Sequence, residues 1–286
     1  MDIQKQQFLN LLFLLLLGIS FSNVYLLWYE VGAVLVFTLL LSYMLSFRFK
    51  HRRQIVNFSS LTTAIGVMLM MVTPHLWIYF LVITLALLQK TYLKVEGKHF
   101  FNPSNFALIM VLLLFYNDAH LVLGQLGDQL WVAVCLLLMA GAILLRVHRW
   151  IIPLSFVLFY LLFQYFFVVS YDPVVLMEEI YYRFYSLSFI VFILFMLTDP
   201  QTSPSDSVAQ IFFALFIALF TSLLDRYYGF RVQHLFLSLF FVSLFTPLVI
   251  NCSKSLLLKT AFVAFIVIVV IITIERQTPY YFTMEH

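Results

Sequence analysis

Apolar runs recur along the whole chain, and short polar breaks separate them. A helix needs about 20 apolar residues to cross the hydrocarbon core of a bilayer. On that criterion the pattern predicts helical spans at Phe8–Leu26, Tyr29–Phe47, Phe58–Val72, Leu76–Leu93, Phe106–Tyr116, Leu130–Arg146, Ile151–Ser170, Leu187–Leu197, Val208–Leu224, Leu235–Ile250 and Leu256–Ile274. Phe106–Tyr116 and Leu187–Leu197 are short. The expected fold is therefore all-α and polytopic, with 10 or 11 transmembrane helices, some of them broken. The first run has Lys5 before it but no small-residue cleavage site after it, so it is read as a first spanning helix and not as a signal peptide.

The loops carry the orientation signal. With the N-terminus inside, the cytoplasmic side receives Lys5, the cluster Arg48–Arg53, Lys90, Lys94, Lys98, Arg146, Arg149, Lys254 and Lys259, which is 12 of the 16 basic residues. Only Arg183, Arg226, Arg231 and Arg276 fall outside. This bias predicts a cytoplasmic N-terminus and an external C-terminus. The longest external loop, Tyr171 to Ser186, carries Tyr181, Tyr182 and Tyr185, aromatics of the kind that settle at headgroup depth, so a short amphipathic interfacial helix is expected there.

Composition agrees with the pattern. The chain is 64% hydrophobic and only 10% charged, with a mean hydropathy of +1.03. That excludes an ordinary soluble domain, and no appended globular module stands out, so residues 1–286 are read as a single transmembrane domain in the lipid bilayer. The net charge of +3 sits in loop clusters, and nothing indicates nucleic acid as a partner. Cys135 and Cys252 have no close Cys or His, which suits inert thiols and no metal site.

Two segments break the apolar pattern, each beside a short span. One is Gly97-Lys98-His99-Phe100-Phe101-Asn102-Pro103-Ser104-Asn105. The other is Leu197-Thr198-Asp199-Pro200-Gln201-Thr202-Ser203-Pro204-Ser205-Asp206. Proline suits the first helical turn and pushes its predecessor out of the α region. Asn102 is thus expected to cap a helix beginning at Pro103, and Ser203 one beginning at Pro204, with Asp206 completing a capping box. Such helix starts present free N–H groups and a positive dipole end to an anion or a carbonyl oxygen. Two readings stay open: capped starts in cytoplasmic loops, or paired interruptions that mark a binding site. Four spans lie between the motifs, so both are expected on the same side.

At these motifs the chain resembles the NqrB/RnfD family, the membrane subunits of Na⁺-translocating NADH:quinone reductase and of the Rnf complex. Phe101-Asn102-Pro103-Ser104 matches its Phe-Asn-Pro-Ala-type motif. Leu197-Thr198-Asp199-Pro200-Gln201 matches its Ala-Thr-Asp-Pro-Val-type motif. The fuller His-Phe-Phe-Asn-Pro-Ser-Asn-Phe is closer to an RnfD-like or UnbU-like branch. The resemblance implies a fold similar to urea transporters, electron transport coupled to ion translocation in the bacterial inner membrane, other membrane or redox subunits as partners, and a flavin. The binding candidates it suggests are His99, Asn102, Pro103, Asn105, Thr198, Asp199, Pro200, Thr202 and Ser203. The family's threonine that carries FMN has no counterpart, because no threonine occurs from Tyr92 to Leu197. FMN or riboflavin is therefore expected to be non-covalent.

A small-solute transporter or channel on the same fold, or a scaffold for partner proteins, remains the alternative. No nucleotide loop or nucleophile motif is present. His75, His120 and His234 are expected at the external interface and His51 and His148 at the internal one. Asp225 is expected to pair with its neighbour Arg226, and Gln164 to find a partner on another helix.

Overall fold

The computed structural model describes residues 3–21, 26–48, 57–95, 97–122, 130–171 and 174–251. Contacts divide the chain into a body over Met1–Thr246 and a second unit over Pro247–His286. The predicted span Leu256–Ile274, His51 and Cys252 lie outside the described residues.

The body is built from helices α1 (Ile3–Phe21), α2 (Trp28–Arg48), α3 (Phe58–Met70), α4 (Leu76–Tyr92), α5 (Pro103–Leu114), α6 (Leu130–Val147), α7 (Ile151–Gln164), α8 (Met177–Tyr185), α9 (Leu187–Val191), α10 (Ser207–Tyr228) and the start of α11 (Gln233–Asn251). Each of the first ten predicted spans falls on a helix. Large apolar side chains face outward along several of them: Val36, Leu40 and Met44 on α2, Leu137 and Leu138 on α6, and Leu154 and Leu158 on α7. A soluble protein could not leave so much apolar surface in water. Lipid contact explains it, and the chain is a multi-pass all-α membrane protein. Among the described residues, Ile3–Ser20, Trp28–Ser46, Ile151–Val169 and Ser207–Tyr228 are long and apolar enough to cross by themselves.

Two elements are half-length. α5 has 12 residues, a rise of about 18 Å. α9 continues without a break into a π-helical turn, Phe192–Met196, in which the Leu197 N–H reaches back five residues to the Phe192 carbonyl. A second π turn, Tyr165–Val169, extends α7. The interfacial helix expected in the loop is α8, and it meets the Leu187–Met196 element at a bend of 76°. Tyr181, Tyr182 and Tyr185 are exposed on α8, whereas Ile180 and Arg183 point inward.

Short extended pieces complete the fold. β1 (Met71–Val72) pairs antiparallel with β4 (His120–Leu121), and β2 (Lys94–Val95) with β3 (Lys98–His99). The β2–β3 hairpin turns through Gly97, whose φ of +80° is open to glycine without the steric penalty of a Cβ. That turn delivers His99 and then Asn102.

Three expectations are corrected here. α10 does not start at Pro204. Its N-cap is Asp206, whose carboxylate accepts from the Ala209 N–H at 3.0 Å. Ser203 cannot cap it, because the Ser203 hydroxyl already donates to the Asp199 carbonyl at 2.8 Å and accepts from Arg149. Nor does Asp225 pair with Arg226. The Asp225 carboxylate is buried and takes Arg183 Nη1 (3.2 Å), Gln164 Nε2 (2.8 Å), His234 Nδ1 (2.7 Å) and the Arg231 N–H (3.2 Å). Arg226 instead lies over the Tyr171 ring at 4.0 Å. His234 is thereby buried and not at an exposed interface. A carboxylate this far from water needs several hydrogen-bond donors, and a sequence neighbour on the next helical position points elsewhere.

Because Asp206 is the cap, Asp206→Ala should lower stability by about 1 kcal/mol, and Asp206→Asn should restore most of it. Thermal unfolding in detergent reads this directly, and an unchanged transition for Asp206→Ala would move the cap elsewhere.

Candidate functional site

The two polar breaks, almost 100 residues apart in sequence, meet in space. Asn102 stands between them. Its backbone is extended (φ −62°, ψ 121°), Pro103 occupies the first helical position, and its Oδ1 accepts from the Asn105 N–H at 3.1 Å. This is the cap expected from the sequence. The other end of the same amide donates to the Met196 carbonyl and to Asp199 Oδ2, each at 3.4 Å. One side chain thus serves an orphan N–H at the start of α5 and an orphan C=O at the end of the Leu187–Met196 element.

The surrounding chain fixes this junction. Ser104 Oγ donates to the Thr63 carbonyl at 3.0 Å, and Asn105 Nδ2 to the Phe236 carbonyl at 3.1 Å. A Cβ at Gly66 would stand 3.0 Å from Ser104 Oγ, so glycine is what lets α3 and the first turn of α5 approach. Phe101 stacks on Phe240 with ring centroids 5.0 Å apart. Beyond the junction, the Asp199 carbonyl accepts from the Thr202 and Ser203 N–H groups, closing a tight turn.

Beside the junction lies a cavity of about 60 Å³. α1 contributes Gln4 and Gln7, and α3 contributes Ser59, Thr62, Thr63 and Gly66. Lys90 comes from the end of α4, and His99, Asn102, Pro103 and Ser104 come from the first break. Met196, Asp199 and Gln201 come from the second. The Lys90 ammonium donates to Ser59 Oγ. Asp199 Oδ1 accepts from the Gln201 N–H at 3.1 Å. His99 is only 7% exposed and lines the cavity.

Burial pushes the His99 imidazole down to about 3, with Lys90 and Lys94 adding to the effect, so it stands neutral with one donor and one acceptor. Burial raises Asp199 above the usual carboxylate range, while the Gln201 N–H and Lys90 pull it back. The wall therefore offers an ammonium, a neutral imidazole, amides and hydroxyls opposite one carboxylate. It can hold a ligand edge that carries both acceptors and a donor. A metal has no nest here, since no group of three His, Cys, Asp or Glu comes together among the described residues.

Of the nine residues singled out by sequence, His99, Asn102, Pro103 and Asp199 line this cavity. Asn105 is buried but turned toward α11. Thr198 gives its hydroxyl to the Leu194 carbonyl, Thr202 and Ser203 serve the turn after Asp199, and Pro200 lies in that turn off the wall. The sequence reading did not single out Lys90, Gln7, Ser59, Thr62 and Gly66. A signal for the last three was present: positions 59, 62, 63 and 66 form one polar or small stripe along an otherwise apolar helix.

Residues 116–257 match the NQR2, RnfD, RnfE family. That stretch includes Thr198-Asp199-Pro200 and begins after Asn102-Pro103. No curated protein matches the chain.

The two titrations oppose each other in sign. His99 is depressed in the folded state, so the stability it contributes is complete above 6.5 and is lost as pH falls toward 3. Asp199 is raised, so its contribution is complete below 3.8 and is lost as pH rises through its folded value. His99→Phe should therefore flatten the acid limb of a stability–pH curve between 6.5 and 3, by up to about 1.4 kcal/mol per pH unit. Asp199→Asn should remove a slope of the opposite sign. Melting temperatures across that range test both.

Proposed function

Because the chain belongs to the NQR2, RnfD, RnfE family, we propose that it works as a membrane subunit of an Rnf- or Na⁺-NQR-type electron-transport complex, with the Asn102–Asp199 cavity as its ligand site. The observation that carries this reading is the meeting of the two interrupted segments at one hydrogen-bonding side chain. A broken, polar backbone inside a membrane body is tolerated where it lines a cavity, and such breaks mark ligand sites.

The proposed ligand is a non-covalently held FMN or riboflavin. The donor set suits the polar edge of an isoalloxazine: the Lys90 ammonium faces a carbonyl oxygen, Asp199 accepts from a ring N–H, and Asn102, its own hydrogen bonds spent on the junction, holds Asp199 in place. A cavity of about 60 Å³ takes such an edge and not the whole ring system, because fully enclosed cofactor sites run to about 300 Å³ or more. When bound, the flavin would supply one- or two-electron redox chemistry, and the protein would supply orientation and electrostatics. Lys90 would stabilise negative charge on the ring edge. His99, held neutral, would donate without adding charge.

The charge bias of the loops supports a cytoplasmic N-terminus. On that orientation the cavity, lined by Gln4, Gln7, Lys90 and His99, opens toward the cytoplasmic side, within reach of soluble redox partners. The small size and mixed polarity of the cavity favour one second reading, a site for a small polar solute with no cofactor.

Protein extracted in mild detergent should show flavin absorbance, natively or after addition of FMN or riboflavin. Lys90→Met should weaken retention by about tenfold, the loss expected for a buried hydrogen bond to a charged group, and Asn102→Ala should weaken it by releasing the Met196 carbonyl and Asp199 from the junction. Absence of flavin under all these conditions, together with solute uptake by proteoliposomes, would replace this reading with the second.

A further inference from the structure

The cavity depends on where the Leu187–Met196 element ends, and the structure shows what holds where it begins. Arg183 is the inward-pointing cation of the amphipathic α8. Its Nη1 donates to Tyr160 Oη at 2.7 Å and to Asp225 Oδ2 at 3.2 Å. Its guanidinium lies 3.4 Å from the centroid of the Phe230 ring. These partners sit on α7, on α10 and in the turn before α11. The Ser186 N–H then bonds the Arg183 carbonyl at 3.1 Å, and α9 starts at the next residue after a 76° bend. No slack separates the anchored arginine from the half-length element.

That element ends in a wide turn. The π segment Phe192–Met196 holds one residue more per turn than an α-helix. Regaining α spacing would draw its end back by about 1.5 Å and rotate it by about 100°. The Met196 carbonyl and Asp199 would then leave Asn102. The π turn is thus pinned at both ends, by Arg183 at its start and by Asn102 at its finish.

We propose that Arg183 is a positioning residue for the Asn102–Asp199 cavity, acting through the bend at Ser186 and the π turn. None of its partners described above lines the cavity. The Arg183–Asp225 pair fixes the register in which the second break presents Met196 and Asp199 to the first. The proposal rests on the reading of this cavity as a ligand site, but its test does not involve flavin.

In a background of Cys135→Ala and Cys252→Ala, Thr62→Cys places a thiol on the cavity wall. Its reaction rate with a water-soluble maleimide, measured on the detergent-purified full chain, reports how open the cavity is. Arg183→Met should raise that rate about three- to thirtyfold, the range of couplings carried through packed elements. A cysteine at the exposed Tyr116 should react at an unchanged rate. Because the single variant leaves Asp225 buried without its cation and can misfold, Arg183→Met with Asp225→Leu removes both charges together. It should show the same acceleration. Ile180→Ala, also buried on α8, should lower the melting temperature without changing the labelling rate. Wild-type labelling in the folded double variant, or equal acceleration by Ile180→Ala, would overturn the proposal. Either result leaves the electron-transport reading standing, because flavin retention is measured separately.

Discussion

Within a bilayer, a helix that stops halfway leaves backbone groups that water cannot serve. In this protein two half-length elements end at the same place, and the Asn102 amide answers both. Its oxygen takes an N–H at the start of α5, and its nitrogen serves a carbonyl and the Asp199 carboxylate at the end of the Leu187–Met196 element. The rest of the arrangement follows from that junction. Gly66 clears space for α5 against α3. The Gly97 hairpin brings the chain back to the junction. Lys90 supplies a cation beside the one carboxylate of the junction. A cavity forms because the two elements meet end to end and leave unequal polar walls around the meeting point.

Much of this was legible in the chain. Long apolar runs gave ten of the helices, since the length needed to cross lipid leaves little choice of element. Asn102-Pro103 gave its cap, because proline and the asparagine side chain act locally on the next turn. The shared side of the two motifs followed from the four intervening spans. The start of α10 was misplaced because Ser203 and Asp206 are both good caps, and the choice between them depends on Arg149 and the Asp199 carbonyl. Those contacts are tertiary and leave no local mark.

The buried partners were the least visible part. Asp225 beside Arg226 looks self-sufficient in sequence, yet neighbouring positions on a helix point in different directions. The true partners, Arg183, Gln164 and His234, are on other segments and lie up to 61 positions away. Lys90 was equally hidden, because a lysine at the end of an apolar run first reads as a topology signal. Its contact with Ser59, on another helix, is what makes it a wall of the cavity.

The junction also constrains how the protein is made. The Asn102 amide waits for the Met196 carbonyl, 94 positions downstream, and Asn105 waits for the Phe236 carbonyl, 131 positions downstream. At ordinary rates of synthesis the first delay alone is about 5–20 s. During that interval α5 has a polar start with no partner and is too short to settle across the membrane. It must remain at the insertion machinery or at the aqueous surface until the second half-length element emerges. Insertion of this chain is therefore expected to be out of order, with the fifth helix taking its place after the ninth.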